Sequence, residues 1–367
     1  MDGNVTVAAD MFSLGILILA LYNSPHRSPL EFNGSQSSYK RAFSSASSVP
    51  NKSNNFMCSQ SIPKDAMNGL LDRLITRRPA QRLDAREFQQ ARYFDNILVS
   101  TIRFLDSLPA KTPNEKSQFL RGLPRILNQF PKSVLEKKVL PALLDETKDR
   151  ELLALVLQNV FKIITMLPSG KRAFTEKAIP KLRETFLSTP AKGAAAPERD
   201  SLKEAGLMVV LENMNIAAEN SSGKEFKDDI LPIINYALES PTHSMVDAAL
   251  RTLPVVLPVL DFSTIKNELF PIIANVFAKT SSMGIKIRGL EALKTLCGGG
   301  NEEQDGFQGD GLTGVVETPK PKASNVSILD KYTIQEKVIP LLKGIKTKEP
   351  AVMVSCNIPT RVSLHKY

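Results

Sequence analysis

Leucine, isoleucine and valine recur three and four positions apart along most of this chain, and that spacing predicts helices. Residues 9–23 are apolar on nearly every face, with Asp10 placed to cap the start, and predict one helix buried in a core. Residues 33–61, rich in Ser and Asn with weak periodicity, predict a long loop holding at most a short helix. A helical pair is expected from Pro63 to Phe94. Ala66, Leu70, Leu71 and Leu74 stripe its first member, Arg77-Arg78-Pro79 ends it, and Leu83 to Tyr93 form the second. Hairpins follow from about residue 95. Phe119, Leu123, Ile126, Leu127 and Phe130 make one stripe, closed by Pro131; Leu135, Val139, Leu140, Leu143 and Leu144 make the next. Residues 151–167 are apolar all round, through Leu152, Leu155, Val156, Val160, Ile163, Ile164 and Leu167, so that helix must be covered on both sides. Stretches 202–218, 230–238, 246–260, 269–277 and 285–296 continue the pattern.

A hydrophobic pair followed by proline punctuates these stripes. The triplets are Val139-Leu140-Pro141, Ala178-Ile179-Pro180, Ile230-Leu231-Pro232, Leu269-Phe270-Pro271 and Val338-Ile339-Pro340, with prolines 39, 52, 39 and 69 residues apart. Two intervals lie near the lower edge of the ~40–47-residue period of HEAT and armadillo repeats. The two long ones carry insertions, residues 189–200 and the Gly- and acid-rich 298–327. The spacing therefore predicts a HEAT/armadillo-like α-solenoid over 98–355, and a binding surface before an active site. Proline early in a helix costs little, because its missing N–H is an orphan there, and the triplets are expected in first turns. Pro254 and Pro258 fall inside a good helical stripe and predict a kink. After Ala351-Val352-Met353-Val354, the break at Asn357-Ile358-Pro359 predicts an irregular or truncated end over 356–367, leaving the solenoid without a polar cap.

Composition narrows the class. With 42% hydrophobic and 23% charged residues and no Trp, the chain reads as a folded soluble protein of aliphatic helix packing. The net charge of +9 is modest for 367 residues and fits a solvated basic surface; nucleic-acid or anionic-membrane contact is the sharper alternative. Cys58, Cys297 and Cys356 are too few and scattered for a disulfide framework or metal cluster, which predicts a reducing compartment. No signal-peptide pattern is present, and the apolar run from Met11 to Tyr22 is short of the ~20 residues that span a bilayer. A cytoplasmic protein is expected, and the Asn-x-Ser/Thr triplets at Asn4, Asn33, Asn51, Asn220 and Asn325 read as chance.

Residues 1–97 resemble the end of a protein-kinase lower lobe. Asp10-Met11-Phe12-Ser13-Leu14-Gly15 is similar to the Asp-x-Trp-Ser-x-Gly pattern opening that lobe's central helix, with Phe12 in place of Trp. Arg78-Pro79, Arg82 and Phe94 resemble its closing segment, whose arginine pairs with the glutamate of an Ala-Pro-Glu motif; the resemblance places that glutamate upstream of Met1. A kinase tail running into HEAT-like repeats resembles the Scyl family of pseudokinase trafficking proteins, closest to the coated-vesicle-associated member between Phe94 and Leu167. The resemblance covers roughly residues 5–355 and lacks the upper kinase lobe and the long C-terminal tail. It implies an all-α fold, a residual kinase-lobe part followed by the solenoid. It also implies a non-catalytic scaffold in clathrin- or coat-mediated traffic on Golgi or endosomal membranes. The partners it implies are clathrin, adaptor complexes or coatomer, with peripheral membrane association. A tRNA- or RNA-transport adaptor is the alternative, and a kinase fragment that binds ATP is a third reading.

The residues themselves assemble no catalytic set, no cofactor site and no metal site. Phosphoryl transfer needs a glycine loop, a paired lysine, a catalytic aspartate and metal-holding Asn and Asp, and these are not found together. Asp261-Phe262-Ser263 mimics a metal-binding Asp-Phe-Gly but follows a repeat helix with no His-Arg-Asp loop before it, and reads as a turn capped by Asp. Glu198-Arg199-Asp200 sits in an insertion. Gly298-Gly299-Gly300 and Gly309-Asp310-Gly311 lack a preceding strand and read as linker. His26, His243 and His365 are far apart with no ligand-spaced partner. The densest basic run, Arg73, Arg77, Arg78, Arg82, Arg86 and Arg92, interleaves with Asp72, Asp84 and Glu87 and shows no aromatic platform, so structural pairing is the default and phosphate or RNA binding the alternative.

Overall fold

The computed structural model describes residues 6–45, 48–187, 200–298 and 328–344. Every regular element among them is helical, which bears out the all-α expectation. Contacts group the chain into two units, Met1–Pro109 and Ala110–Tyr367.

The first unit holds α1 (Val7–Leu21), α2 (Gln36–Ala42), a pair of short turns over 64–74, α3 (Ala85–Gln89) and α4 (Ile97–Asp106). Its core joins Met11 and Leu19 of α1 to Phe56, Ile62, Ala66, Leu70, Leu71, Leu74, Ile75 and Leu83. Four expectations need correction. The apolar α1 buries one stripe, Met11, Gly15 and Leu19, while Leu17 and Leu21 stay 59% and 62% exposed, because residues 72–75 and 79–81 pack on one side of it. Asp10 lies in the first turn instead of at the cap, where its charge still suits the helix dipole. The Ala66–Leu74 stripe is fully buried as expected, yet its helix breaks at Asn68-Gly69. Gly69 takes φ +85, a conformation glycine tolerates, and its N–H donates to Asp72 at 2.8 Å. The second helix of the pair shortens to α3, fixed by a reciprocal cap between Asp84 and Glu87 (2.7 and 3.0 Å).

The second unit is two rows of helices. In chain order these are α5 (Pro113–Gly122), α6 (132–145), α7 (Leu153–Met166), α8 (170–187), α9 (Ser201–Glu212), α10 (223–238), α11 (His243–Arg251), α12 (262–279), α13 (Met283–Leu296) and α14 (331–343). The odd-numbered helices stack in sequence, α5 on α7, α7 on α9, α9 on α11 and α11 on α13. The proline-bearing row stacks likewise from α6 through α8 and α10 to α12, and hairpins α6–α7, α10–α11 and α12–α13 join the rows. This repeated translation is that of a solenoid. α7 buries Leu153, Val156, Leu157, Val160, Phe161, Ile163 and Ile164, but it is not covered all round as expected: Gln158, Lys162 and Thr165 form an exposed polar strip.

The prolines do not sit in first turns. Their helices start at residues 132, 170, 223, 262 and 331, eight or more positions upstream. Immediately before each proline pair runs a five-residue π turn: Leu135–Val139, Phe174–Ala178, Phe226–Ile230, Ile265–Leu269 and Ile334–Val338. A proline ring in mid-helix clashes with the carbonyl four residues back and cannot donate to it. The wider i→i+5 turn opens the ladder where that carbonyl lies. Pro254 and Pro258 behave as expected. The helix ends at Arg251, resumes as Leu253–Val256 and stops again.

Acidic caps begin several of these helices. The Asp261 carboxylate accepts from the Thr264 N–H (3.1 Å) and hydroxyl (2.5 Å); Asp330 does the same with Thr333 (2.8 and 3.0 Å). Asp330 also meets Lys266 at 2.7 Å, one rung in a series joining successive proline helices with Glu136–Arg172, Arg183–Asp229 and Lys227–Glu268. The Lys266 ammonium, then the Thr333 N–H, hold the Asp330 carboxyl down at about 2. The Thr264 hydroxyl and N–H lower Asp261, and the cap N–H groups of Ser222 and Thr112 lower Glu225 and Glu115. A carboxyl lowered in the folded state favours folding above its unfolded value of ~4 and stops doing so as pH falls through its folded value. Thermal midpoints are therefore expected to drop between about pH 4 and pH 2. Asp330→Asn with Asp261→Asn, which cap without titrating, should flatten that drop in a melting series.

Candidate functional site

Arg82 organises the packing between α1 and the 76–82 loop in the first unit. Its Nη1 donates to the Ala8 carbonyl at 2.7 Å, its Nε to the Thr76 carbonyl at 3.0 Å, and the guanidinium lies 4.8 Å from the centre of the Phe12 ring. Desolvation lowers its pKa. Gly15 lets α1 approach: a Cβ there would stand 2.9 Å from both Leu74 Cβ and Ile75 Cγ1. The residues that resemble a kinase motif thus perform packing work, with Arg82 tying the start of α1 to the 76–82 loop.

The other chemistry-bearing residues scatter. Asp261 and Asp200 are helix caps, Asp200 also pairing with Arg150. Gly298, at φ +87, follows the end of α13. His26 and His243 are exposed. Burial raises the Cys58 thiol and pushes Cys297 up to about 11, away from nucleophilic chemistry. His365, Cys356, Gly299, Gly300, Gly309–Gly311, Glu198 and Arg199 lie outside the described residues, as does the expected break over 356–367. Among the described residues no group of three His, Cys, Asp or Glu could hold a metal, and no helix is long and apolar enough to cross a membrane. Of the arginine run, Arg73 pairs with Glu87 at 3.4 Å, Arg77 donates to the Phe43 carbonyl and Arg82 is placed as above.

The second unit presents a groove of about 610 Å³ between α9 and α11. It forms because both helices break at the same level. α9 stops at Asn213, whose amide turns back to the Val209 carbonyl (2.8 Å), and α11 stops before Thr252, whose hydroxyl returns to Ala249 (2.7 Å). Met208, Leu211, Met214 and Val255 supply its apolar lining, and Glu212, Asp247 and Arg251 its charged rim. Asp247 holds Arg251 at 2.8 Å and Arg288 at 3.1 Å; Arg288 also meets Glu291 at 2.7 Å, and its pKa rises through the Asp247 bond. Such exposed pairs add little stability, but they fix the direction of the rim side chains. Glu212, by contrast, is exposed and has no hydrogen bond or ion pair among the described residues. An apolar floor with a flexible methionine lining and a mixed-charge rim suits a peptide segment. Sequence reasoning did not single this groove out: it depends on two breaks about 40 residues apart coming level.

No protein-family model matches the chain. Curated proteins do. SCY1-like protein 2 of Mus musculus is 25% identical over 95% of this chain and 32% of its own length. The protein kinase-like protein SCY1 of Saccharomyces cerevisiae is 28% identical over 96% of this chain and 40% of its own length. A Dictyostelium discoideum protein described as a probable inactive serine/threonine-protein kinase, scy1, is 24% identical over 44% of this chain and 18% of its own. The chain is thus similar over most of its length to SCY1-like and protein kinase-like proteins, and spans 32% and 40% of the length of these two relatives.

Proposed function

We propose that this chain is a residual kinase-lobe part and HEAT-like solenoid of the Scyl type, acting as a non-catalytic scaffold in coat-mediated vesicle traffic at Golgi or endosomal membranes. The observation that carries the scaffold reading is the groove between α9 and α11, an open depression on stacked repeats with an apolar floor and a charged rim, whose nearby titratable groups form no catalytic set. The trafficking reading rests on the likeness to SCY1-like proteins. Clathrin, adaptor complexes or coatomer are the proposed partners, with peripheral membrane contact through them.

Purified chain immobilised on beads should recover coat or adaptor proteins from cytosol, and Met208→Glu with Val255→Glu should abolish recovery while the helical melt persists. Recovery of none by the folded parent would overturn the trafficking reading. ATP with magnesium is expected to leave the melting temperature unchanged; a saturable rise, which ligand linkage would produce, would speak for a nucleotide-binding protein instead. Steeply salt-dependent tRNA binding by the parent would favour the RNA-adaptor alternative.

A further inference from the structure

The first unit carries a basic patch that folding assembles from two distant segments. α2 ends in Lys40 and Arg41, and its C-terminal carbonyl at Phe43 accepts from the Arg77 guanidinium. That contact brings the Arg77-Arg78 corner to the end of α2. Arg77 satisfies the orphan carbonyl and complements the helix dipole, so the remaining cations are surplus to that task. The side chains of Lys40, Arg41 and Arg78 are exposed and make no hydrogen bond or ion pair among the described residues. Three acids of the 72–87 segment are engaged elsewhere: Asp72 with Lys52 at 2.8 Å, Glu87 with Arg73, and Asp84 in the α3 cap. Unpaired like charges gathered on one surface cost free energy, and a partner carrying carboxylates would relieve it.

We propose that Lys40, Arg41 and Arg78, held around the Arg77–Phe43 contact, dock an Asp/Glu-rich segment of a partner protein. The surroundings favour this over the other polyanions. The adjoining aromatics are closed on each other, Tyr39 and Phe43 with ring centres 4.5 Å apart and Phe32 at 5.2 and 6.2 Å from them, and all three are half-buried. Rings already packed on one another are a poor platform for base stacking. A membrane surface is best met by cations flanked by exposed apolar side chains. Among the described residues of this unit the large exposed hydrophobics are Val7, Leu17, Leu21, Met57 and Ile97, none of them on α2 or at the 77–78 corner. Guanidinium groups, in contrast, fork onto carboxylates. Three free cations within a helical turn and an adjoining corner match a short acidic stretch.

The test uses a fluorescent twelve-residue Asp/Glu peptide, phosphatidylserine vesicles and tRNA against the full chain at low salt. The peptide should bind, and the triple variant K40E/R41E/R78E should weaken it at least tenfold with an unchanged thermal melt. A control of equal charge change on exposed lysines of the second unit, K132E/K171E/K224E, should keep binding within about twofold. Three outcomes overturn the proposal: no peptide binding by the parent, equal losses in control and patch variants, or patch-dependent binding of vesicles or tRNA without the peptide.

Discussion

Valine in place of Gly206 is expected to destabilise the second unit by about 3 kcal/mol, lowering its melting temperature by roughly 6–12 °C. α9 crosses α7 at this glycine, and a Cβ there would lie 2.5 Å from Cδ2 and 2.6 Å from Cγ of Leu153. Leu153 is 1% exposed and anchors the start of the most buried helix in the unit, so it has no empty volume to move into. A branched side chain must push the two helices apart or force Leu153 off its rotamer, and either spreads along the stack. The diagnostic version is a double-mutant cycle. Leu153→Ala alone should cost about 2–5 kcal/mol through its cavity, and Gly206→Ala alone about 1–3 kcal/mol through its clash. Combined, each fills what the other spoils, and the pair should be less destabilising than the sum of the singles by at least ~1 kcal/mol. Strict additivity in denaturant melts would show that α7 and α9 do not meet at this point.

Much of the solenoid was legible from one-dimensional spacing. The proline period marked the repeats, and the density of apolar positions over 151–167 marked a helix with neighbours on several sides, although Gln158, Lys162 and Thr165 keep one polar strip exposed. The turn preceding each proline was not legible. Residues such as Glu136-Lys137-Lys138 look like an ordinary exposed helix segment, and the widening to i→i+5 appears only once the proline ring is placed against the carbonyl behind it. In the first unit, the apolar α1 suggested cover on every side, although packing supplies a single face. The basic run from Arg73 to Arg92 showed no aromatic platform in sequence, because Phe88 is its one internal aromatic and Phe12 and Phe43 lie 70 and 34 residues upstream of Arg82 and Arg77, the arginines they meet. Folding brings Phe12 under Arg82 and Phe43 to Arg77. The groove was hidden for the same reason: Asn213 and Thr252 each signal a local break, and only stacking makes the breaks level.

Arg82→Leu is expected to be the most damaging surface-adjacent change in the first unit, at roughly 3 kcal/mol. Leucine keeps much of the packing volume over Phe12 but removes the donors to Ala8 and Thr76. Hydrogen bonds from a charged group contribute about 1.5–3 kcal/mol each and a partly exposed cation–π contact about 0.5–1 kcal/mol; partial solvent access places the total near the lower ends. The cause is specific, since both acceptors are backbone carbonyls that leucine leaves without the donor that now ties them together. Arg82→Lys separates charge from geometry. An ammonium keeps the positive charge but cannot direct two divergent N–H groups at two carbonyls while lying flat on a ring, so it should recover no more than about half of the loss. Phe12→Leu, which removes only the ring, should cost less than either. If Arg82→Lys were as stable as the parent, or if Arg82→Leu left the first unit's unfolding transition in place, Arg82 would be a solvated surface cation and the link between α1 and the 76–82 loop would lie elsewhere.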